Sequence, residues 1–395
     1  MRILISTWSL QVGGGEILAM NLAAELARRG HAVYVFNQRA ELIDHDLVKR
    51  LLPAGVKVLS MLDRPQRSFW SYKINALQQR LGMVPGFYQQ QQQAYLAACL
   101  RRYRVDVVSS HATYSDALSL PVAQKAGIPL VITEHGEYNH FLATGRRDFV
   151  GVLRGAAKVV AVSDYCRVNL TQAFPGLPSM QTIYNGVITN ATYTAAAMRG
   201  QLGLPADAFV VGMVARGRAD KGWQQAIDAF RRLSQQPRLR PLRLVLVGGS
   251  EYLDELAHTY AAEPDIIFAG RVPNPDFYIA GFDVGLLPTY FPAEALPLVL
   301  IEYMSYGLPS IATGVGGIPE LLASAVGPTG QLISLDPVTQ QPRPDELFQA
   351  LERYYLEPAV YNEHAANASR ASQHYTMGSC TDQYEELFER TIAKQ

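Results

Sequence analysis

The sequence predicts an α/β protein built from two doubly wound parallel-sheet domains in tandem. Short apolar segments alternate with amphipathic helical segments, which is typical of parallel strands with helices on both faces. This alternation begins at residue 1 and starts again after residues 183–186. The chain of 395 residues, 48% of them hydrophobic, is too long for one core and apolar enough for two.

The first half reads as a strand, a glycine turn, a helix and a second strand. We expect a buried strand over residues 3–7 and a helix over residues 17–29, ended by Gly30 in the left-handed conformation. Further apolar runs predict strands over residues 32–36, 105–109, 129–133 and 159–162. The predicted first domain is therefore residues 1–188, with an insertion over about 64–104.

The second half repeats this rhythm. A helix is predicted over residues 221–236, and at least five strands over residues 209–214, 244–247, 266–268, 284–287 and 310–312. The tail from Asp345 reads as helical only. We predict a second domain over 189–375 and a last helix within 376–395 that returns to the first domain. Sheets of this kind bind ligands at the carboxyl ends of their strands.

The net charge of zero hides an asymmetry between the halves. Residues 1–188 contain 20 basic and 12 acidic residues, and the remainder contains 15 and 23. A balanced chain disfavours nucleic acid as a partner, since nucleic-acid binders usually carry a net basic domain. It also disfavours a disordered, highly charged tail.

The segment over residues 64–104 concentrates the positive charge of the first half. It has seven basic residues and no acidic one, interleaved with seven aromatic residues. Trp70, Ile74, Leu77 and Leu81 lie at helical spacing, with Lys73 and Arg80 among them. Two interpretations stay open: a helical insertion that covers the core of its domain, or a surface that meets an anionic membrane or an anionic acceptor.

Three distant cysteines, Cys99, Cys166 and Cys380, match neither a disulfide framework nor a zinc site. We expect free thiols, as in a reducing compartment. No apolar run approaches the roughly 18 residues of a membrane span, and the apolar run at the N-terminus is too short for a signal peptide. The expected location is therefore the cytoplasm, at the inner face of the plasma membrane if the segment 64–104 contacts it.

The glycine turn at residues 13–15 differs from a dinucleotide fingerprint. That fingerprint needs a carboxylate after the second strand to hold the ribose, and here Phe36 is followed by Asn37 and Gln38. The sequence therefore disfavours an NAD-linked oxidoreductase. Glycines before a helix still allow the backbone at Gly14 and Gly15 to approach an anionic ligand.

Two cations follow the first strand of the second half. Arg216 comes where the strand ends and Lys221 where we expect the next helix to begin, among glycine and apolar neighbours. Cations held at a strand end and a helix start can bind a diphosphate, or can belong to an ordinary solvated loop.

Two glutamates eight positions apart differ in their surroundings. Glu302 lies in an apolar run, where a carboxylate is costly unless it is hydrogen-bonded, and ribose hydroxyls would satisfy it. Glu294 precedes this run, at the expected start of a helix, and could accept hydrogen bonds from sugar hydroxyls. The segment that follows it, Ala295, Leu296, Pro297 and Leu298, is a candidate for donor binding, and its backbone N–H groups, which Pro297 lacks, could bind phosphate.

In this order, the motifs resemble those of the retaining glycosyltransferases of family 4, which have the GT-B fold and include bacterial enzymes of lipopolysaccharide, capsule and O-antigen synthesis. The matching features are distributed over nearly the whole chain. They are the Gly-Gly-x-Glu turn, His135 after a strand, the Arg216/Lys221 pair, residues 268–270, the Glu294/Glu302 pair and residues 316–320.

The resemblance implies a role for each position. Arg216 and Lys221 would neutralise the diphosphate of a nucleotide-sugar donor, Glu302 would hold its ribose and Glu294 its sugar hydroxyls. Gly14 and Gly15 would line the donor phosphate and sugar, and His135 would contact the donor sugar near its anomeric carbon. The backbone at Gly270 and Arg271 would border the base. The first domain would bind the acceptor and the second the donor. No cofactor is implied, and the sequence offers no Asp-x-Asp metal site.

Two positions depart from the family pattern. Ala295 stands where glycine is usual, and Gly136 stands where aspartate often follows the histidine. His111 also follows a strand, and we group it with Trp70, Lys73 and Arg80 on the acceptor or membrane side of the first domain.

The expected function is transfer of a sugar, with retention of configuration and without a metal, from a nucleotide diphosphate sugar to a glycan or lipid-linked saccharide in cell-surface polysaccharide synthesis. A UDP-sugar is favoured over a GDP-sugar such as GDP-mannose. A nucleotide-sugar epimerase on the same scaffold stays an alternative. A two-lobed periplasmic binding protein is disfavoured because we find no signal sequence.

Overall fold

The computed structural model describes residues 1–237 and 239–394 and divides the chain into two compact units. The first unit comprises Met1–Gly186 and the C-terminal segment from Met377, and the second is Val187–Thr376. Because the C-terminal segment contains two basic and four acidic residues, the first unit has a net charge of +6 and the second −6.

The first unit contains a seven-stranded parallel sheet in the order β3-β2-β1-β4-β5-β6-β7. Its strands are β1 (Arg2–Thr7), β2 (Ala32–Asn37), β3 (Lys57–Leu59), β4 (Val107–Ser110), β5 (Leu130–Glu134), β6 (Lys158–Ala161) and β7 (Met180–Thr182). Ile3 pairs with Val33 on one side and Val107 on the other, so the strand order reverses at β1. Apolar side chains are buried on both faces, which explains the continuous apolar runs.

Helices cover both faces of this sheet. They are α1 (Gly14–Arg28), α2 (His45–Leu51), α3 (Pro65–Arg80), α4 (Phe87–Tyr103), α5 (Thr113–Ala126), α6 (Glu137–Ala143), α7 (Val150–Gly155) and α8 (Asp164–Ala173). Helix α1 begins three residues before the predicted start, directly at the glycine turn. Gly30 adopts a φ of 89°, as its predicted left-handed role requires.

The second unit contains a six-stranded parallel sheet in the order β10-β9-β8-β11-β12-β15. Its strands, with the small antiparallel pair β13-β14, are β8 (Phe209–Val214), β9 (Leu242–Val247), β10 (Ile266–Gly270), β11 (Val284–Leu287), β12 (Ser310–Thr313), β13 (Ala323–Ser324), β14 (Gly327–Pro328) and β15 (Gly330–Ile333). The prediction of at least five strands is confirmed, and β15 is the strand that it did not identify.

The helices of the second unit are α9 (Ala195–Gln201), α10 (Trp223–Ser234), α11 (Glu251–Thr259), α12 (Pro275–Ile279), α13 (Leu298–Ser305), α14 (Ile318–Leu322), α15 (Pro344–Leu356) and α16 (Pro358–Ser372). The predicted start of α10 at Lys221 is wrong. Lys221 ends a separate 3₁₀ turn, Ala219–Lys221, and Gly222 at φ 86° separates this turn from α10. The positive φ cannot continue a right-handed helix.

The last helix, α17 (Met377–Ile392), belongs to the first unit. Its buried residues, including Tyr384 and Phe388, share a core with Leu18 and Leu22 of α1. The Tyr384 hydroxyl lies 3.1 Å from Oγ1 of Thr133, and Arg29 donates to Asp382 at 2.6 Å. The last helix therefore packs on the first unit, as the predicted fold class requires.

The insertion over 64–104 consists of α3 and α4, and these two helices differ. Leu96, Cys99 and Leu100 of α4 are buried in the core of the first unit, as a covering helix requires. Helix α3 has only Ser71 buried. The interpretation as a core cover therefore holds for α4 and is wrong for α3.

The three cysteines are buried and free, as the sequence predicts. Across residues 1–237 and 239–394, no helix combines the length and the apolar composition needed to cross a bilayer. Over the same residues, no group of three or more His, Cys, Asp or Glu side chains is placed to hold a metal ion.

Candidate functional site

A buried ion pair joins two distant segments of the second unit. The Nζ of Lys221 donates to Oε1 of Glu294, across 73 positions of sequence. The side chains are only 9% and 8% exposed. Because an unpaired buried charge is costly, the ion pair holds both side chains in place.

Backbone contacts fix both sides of this pair. Tyr290 N donates to Asp220 O at 2.8 Å, and Thr289 Oγ1 lies 3.1 Å from the same oxygen and 3.4 Å from Glu294 Oε1. A Cβ on Gly222 would overlap the carbonyl of Pro288, so the turn before α10 and the loop after β11 pack backbone to backbone. Thr289 was missed by sequence reasoning, since this residue type does not signal a loop contact by itself, and the contact of Gly222 with Pro288 was not predicted.

Gly316 supports the other face of Glu294. Gly316 has a φ of 58°, and a Cβ at this position would overlap the carbonyl oxygen of Glu294. The backbone N–H of Gly317 donates to the same oxygen at 3.3 Å. The glycine pair of residues 316–317 was recognised as part of a motif, but its contact with Glu294 was not predicted.

Glu294 does not begin a helix, which corrects the prediction. Helix α13 begins four residues later, at Leu298, after Pro297 as its N-cap. Between them, Ala295 and Leu296 are buried, while Pro297 and Leu298 are partly buried. The first turn of α13 has neither a capping side chain nor an acidic residue, so its N–H groups can attract an anion.

Arg216 lies two residues beyond β8, with its side chain exposed. Its carbonyl accepts a hydrogen bond of 3.1 Å from Nε1 of Trp223, a fully buried residue of α10. The backbone that carries Arg216 is therefore anchored to the core. The exposed guanidinium and the buried ammonium of Lys221 are two cations at the same sheet end.

Gly270 and Arg271 lie at the end of β10, on the same sheet. Gly270 adopts a φ of 70°, and its carbonyl accepts from Gly248 N at 3.1 Å. A Cβ on Gly249 would lie 2.7 Å from the Cβ of Arg271. These close approaches place the loops after β9 and β10 side by side.

Glu302 lies in the second turn of α13 and is partly buried. Loss of hydration, with a smaller contribution from the Asp276 carboxylate, raises the pKa of its carboxyl to about 7. Among the described residues, its carboxylate makes no hydrogen bond. The apolar surroundings inferred from sequence are therefore present, and a ligand with hydroxyl donors would favour the charged form.

This raised pKa predicts a pH-dependent effect of Glu302→Gln. The carboxyl titrates near 4.5 when unfolded and near 7 when folded, so the folded protein binds the proton more tightly and loses stability as the pH rises between these values. Glutamine removes this loss. We expect Glu302→Gln to melt at a higher temperature than the wild type at pH 8 and at the same temperature at pH 4.

Melting curves at the two pH values measure this difference. Glu255→Gln, at an exposed position of α11, is the control and should leave the melting temperature unchanged. A shift for Glu302→Gln of equal size at pH 4 and pH 8 would contradict a titrating Glu302.

In the first unit, the glycine turn lies beside His135. A Cβ on Gly15 would lie 3.3 Å from the imidazole Cγ of His135, whereas a Cβ on Gly14 would meet no atom within 4 Å. Gly13 leaves room for Glu16, whose Oε1 accepts a hydrogen bond of 3.1 Å from Ser9 Oγ. The turn thus brings backbone of α1 against the imidazole.

His135 forms a pair with His111, which lies on the adjacent strand end and not on α3. Nδ1 of His111 lies 3.2 Å from Nε2 of His135, and Nε2 of His111 lies 3.0 Å from Ser109 Oγ. Burial lowers the pKa of His135 to about 4, and burial together with His135 holds that of His111 well below its usual range. Both rings are therefore neutral at pH 7.

Two glutamates that sequence reasoning did not assign hold the His135 loop. Glu134 accepts from the backbone N–H groups of Tyr138 at 3.1 Å and Asn139 at 3.0 Å, which ties β5 to α6. Gly136 between them has a φ of 103°, a conformation open to glycine. Glu137 accepts from Thr113 N and Oγ1 and so caps α5, which has no side-chain cap of its own.

Trp70, Lys73 and Arg80 all lie on α3, where each side chain is exposed. They share no hydrogen bond or ion pair with the histidine pair among the described residues. The structure therefore separates His111 from the other three residues with which the sequence grouped it.

Comparison with known proteins identifies both units. A family model described as Glycosyltransferase Family 4 matches residues 12–191, and one described as Glycosyl transferases group 1 matches residues 195–372. The chain is 27% identical over 410 residues to a D-inositol 3-phosphate glycosyltransferase of Kineococcus radiotolerans, covering 96% of this chain and 91% of that protein. A protein of the same name from Acidothermus cellulolyticus is 29% identical over 343 residues, covering 78% and 71%.

A solved structure supports the same fold. Anabaena Alr3699/HepE, in complex with UDP-glucose, aligns over 100% of both chains with a TM-score of 0.73 and 23% identity. At this identity the similarity shows the fold alone. Together with the two family models, it confirms the expected family and fold: this chain belongs to the family 4 glycosyltransferases of the GT-B fold.

Proposed function

We propose that this glycosyltransferase moves a sugar from a nucleotide diphosphate sugar, with a UDP-sugar favoured, to a glycan or lipid-linked saccharide in cell-surface polysaccharide synthesis. The observation that carries the proposal is the buried Lys221–Glu294 pair beside the uncapped start of α13. It presents a cation, a carboxylate and open N–H groups together, which matches a diphosphate next to a polyhydroxylated sugar.

The donor is assigned to the second unit. Lys221 and Arg216 neutralise the diphosphate, and the N–H groups in the first turn of α13 bind its oxygens. Oε1 of Glu294 accepts from Lys221, while Oε2 makes no hydrogen bond within the described part of the chain and can accept from sugar hydroxyls. Glu302 accepts from the ribose hydroxyls. HepE, with its UDP-glucose complex, supports UDP as the nucleotide.

Transfer is proposed to proceed with retention and without a metal. The acceptor hydroxyl oxygen bonds to the anomeric carbon on the face from which the diphosphate departs. The bond between that carbon and the phosphate oxygen breaks, its electron pair stays on the diphosphate, and the acceptor proton passes to the departing phosphate. Lys221 and Arg216 stabilise the charge that develops there.

A panel of nucleotide sugars tests the donor assignment. We expect a UDP-sugar to raise the melting temperature of the wild type more than GDP-mannose or an ADP-sugar does. A ligand at 100 times its dissociation constant stabilises by about 2.7 kcal/mol. Lys221→Met should melt at the same temperature with and without the sugar. The absence of a shift with every nucleotide sugar would refute a donor site in the second unit.

Product analysis separates the proposed reaction from its alternatives. NMR of the product should show the anomeric configuration of the donor, and an inverted anomer would exclude retention. Activity that persists after exhaustive chelation supports independence of metal. Donor converted to an isomer in the absence of any acceptor would instead indicate an epimerase.

A further inference from the structure

Helix α3 differs from an ordinary surface helix in the side chains that it buries. Surface helices normally direct an apolar face to the core. Of the sixteen residues of α3, only Ser71 is buried, and its hydroxyl donates to Arg67 O at 2.6 Å. Phe69, Trp70 and Leu77 of this helix are exposed instead, while Ile74 is partly buried.

The inner face of α3 holds the helix through polar contacts with α4. Asn75 Oδ1 accepts from Tyr88 N at 3.0 Å, and Gln78 Oε1 accepts from Gly86 N at 3.2 Å. Helix α4 has no side-chain cap of its own, so these two amides satisfy N–H groups at its N-terminus. Ser71, Asn75 and Gln78 recur at helical spacing, and this register turns the opposite face outward.

The outer face combines apolar and cationic side chains. Phe69, Trp70, Lys73, Leu77, Arg80 and Leu81 fall within a sector of about 120° of the helix. Trp70 and Leu81 are 63% and 67% exposed, and Val84 just beyond the helix is 90% exposed. We call these seven residues the α3 outer face. Monomeric proteins rarely leave such a contiguous apolar surface without a partner.

The charged residues of the segment that carries this face are all basic. No acidic residue occurs between Arg64 and Arg104, where seven basic residues lie, and the whole first unit is net positive at +6. Neither Lys73 nor Arg80 forms an ion pair among the described residues. A second copy docked face to face would set these cations against each other, with no acidic residue on the same face to compensate.

We propose that the α3 outer face docks on an anionic lipid surface. Trp70, Leu77, Leu81 and Val84 enter the boundary between headgroups and acyl chains, and Lys73 and Arg80 contact the anionic headgroups. A Trp ring, with one apolar and one polar end, favours a membrane interface, and basic side chains are attracted to anionic headgroups. The inference deepens the proposed function by naming the surface at which a lipid-linked acceptor would be met.

Vesicle co-sedimentation tests this docking with the full chain. The probes are vesicles of phosphatidylcholine alone and of phosphatidylcholine with phosphatidylglycerol. The wild type should bind the anionic vesicles only. Each basic residue near the surface strengthens binding by about 5.5-fold, so the double variant Lys73→Gln/Arg80→Gln should bind them about 30-fold more weakly. Trp70→Ser should also weaken binding, through loss of the inserted ring.

A matched control separates docking from net charge. Lys125→Gln/Arg154→Gln removes the same charge from exposed positions of the first unit away from α3, and should bind nearly as well as the wild type. Melting temperatures should be equal for all these variants, because the changed side chains are exposed. Equal binding to neutral and anionic vesicles, or equal losses for the two double variants, would overturn the proposal.

Self-association is the competing use of this face. Analytical ultracentrifugation of the wild type and of Trp70→Ser distinguishes it, since we expect both to sediment as the same species. A dimer of the wild type that dissociates in Trp70→Ser would overturn lipid docking. The melting experiments with nucleotide sugars do not depend on α3. The donor assignment can therefore fail while lipid docking holds, and lipid docking can fail while the donor assignment holds.

Discussion

Replacing Lys221 by methionine should lower the rate of sugar transfer by about 100- to 1,000-fold, the usual effect of removing one pre-positioned group that stabilises developing charge. Lys221 is the only lysine between residues 187 and 376, and its ammonium is held in place by Glu294. Arg216 is exposed and offers no comparably fixed charge. Initial rates at saturating donor and acceptor measure the effect.

Loss of fold must be separated from loss of catalysis in this experiment. Lys221→Met leaves the buried carboxylate of Glu294 without its partner, which costs up to about 3–5 kcal/mol. The double variant Lys221→Met/Glu294→Gln removes both charges and should regain stability without regaining activity. Arg231→Met, on the exposed side of α10, is the control for a lost cation in the same unit. A Lys221→Met enzyme with full activity would refute the assigned diphosphate contact.

Gly316→Ala should destabilise the second unit by about 3 kcal/mol and lower activity as well. The φ of 58° is unfavourable for alanine, and the added methyl group would overlap the Glu294 carbonyl oxygen. Relief of this overlap requires the loop that carries Glu294 to move, which also displaces the partner of Lys221. Denaturant unfolding measures the stability, and the donor-induced melting shift reports on the site.

Gly314→Ala is a closely matched control in the same loop. Its φ is not positive, and its nearest neighbour, Ile333 O, would lie 3.8 Å from the new methyl group, an ordinary contact distance. We expect this variant to unfold and bind donor as the wild type does. If Gly314→Ala and Gly316→Ala lost stability equally, the specific contact between Gly316 and Glu294 would not explain the effect.

The sheets were predictable because their signal is local. Buried parallel strands need continuous apolar runs, and such runs are visible at residues 3–7 and 209–214 without any knowledge of their neighbours. Strands β3, β7 and β15 were not identified, since Lys57–Leu59 and Met180–Thr182 are only three residues long and lie at or near sheet edges. Short edge strands carry little apolar pattern.

The residues of the candidate site were predictable from the sequence, but the contact between two of them was not. Lys221 and Glu294 were both selected, as separate contacts for phosphate and sugar, but their mutual ion pair was not. Their contact depends on two loops that meet through Tyr290, Thr289 and Gly222, and backbone contacts of this kind leave no periodic pattern. The same reason explains why the support of Glu294 by Gly316 was missed.

The sequence by itself determined the two parallel sheets, and it selected Lys221 and Glu294 as candidate site residues. Only the tertiary structure decided that α4 covers the core while α3 does not, and that His111 pairs with His135. Composition assigns a side chain to a helix but cannot say which face turns inward. For α3 that choice follows from hydrogen bonds of Asn75 and Gln78 to the start of α4, contacts between chain segments that no single helical pattern encodes.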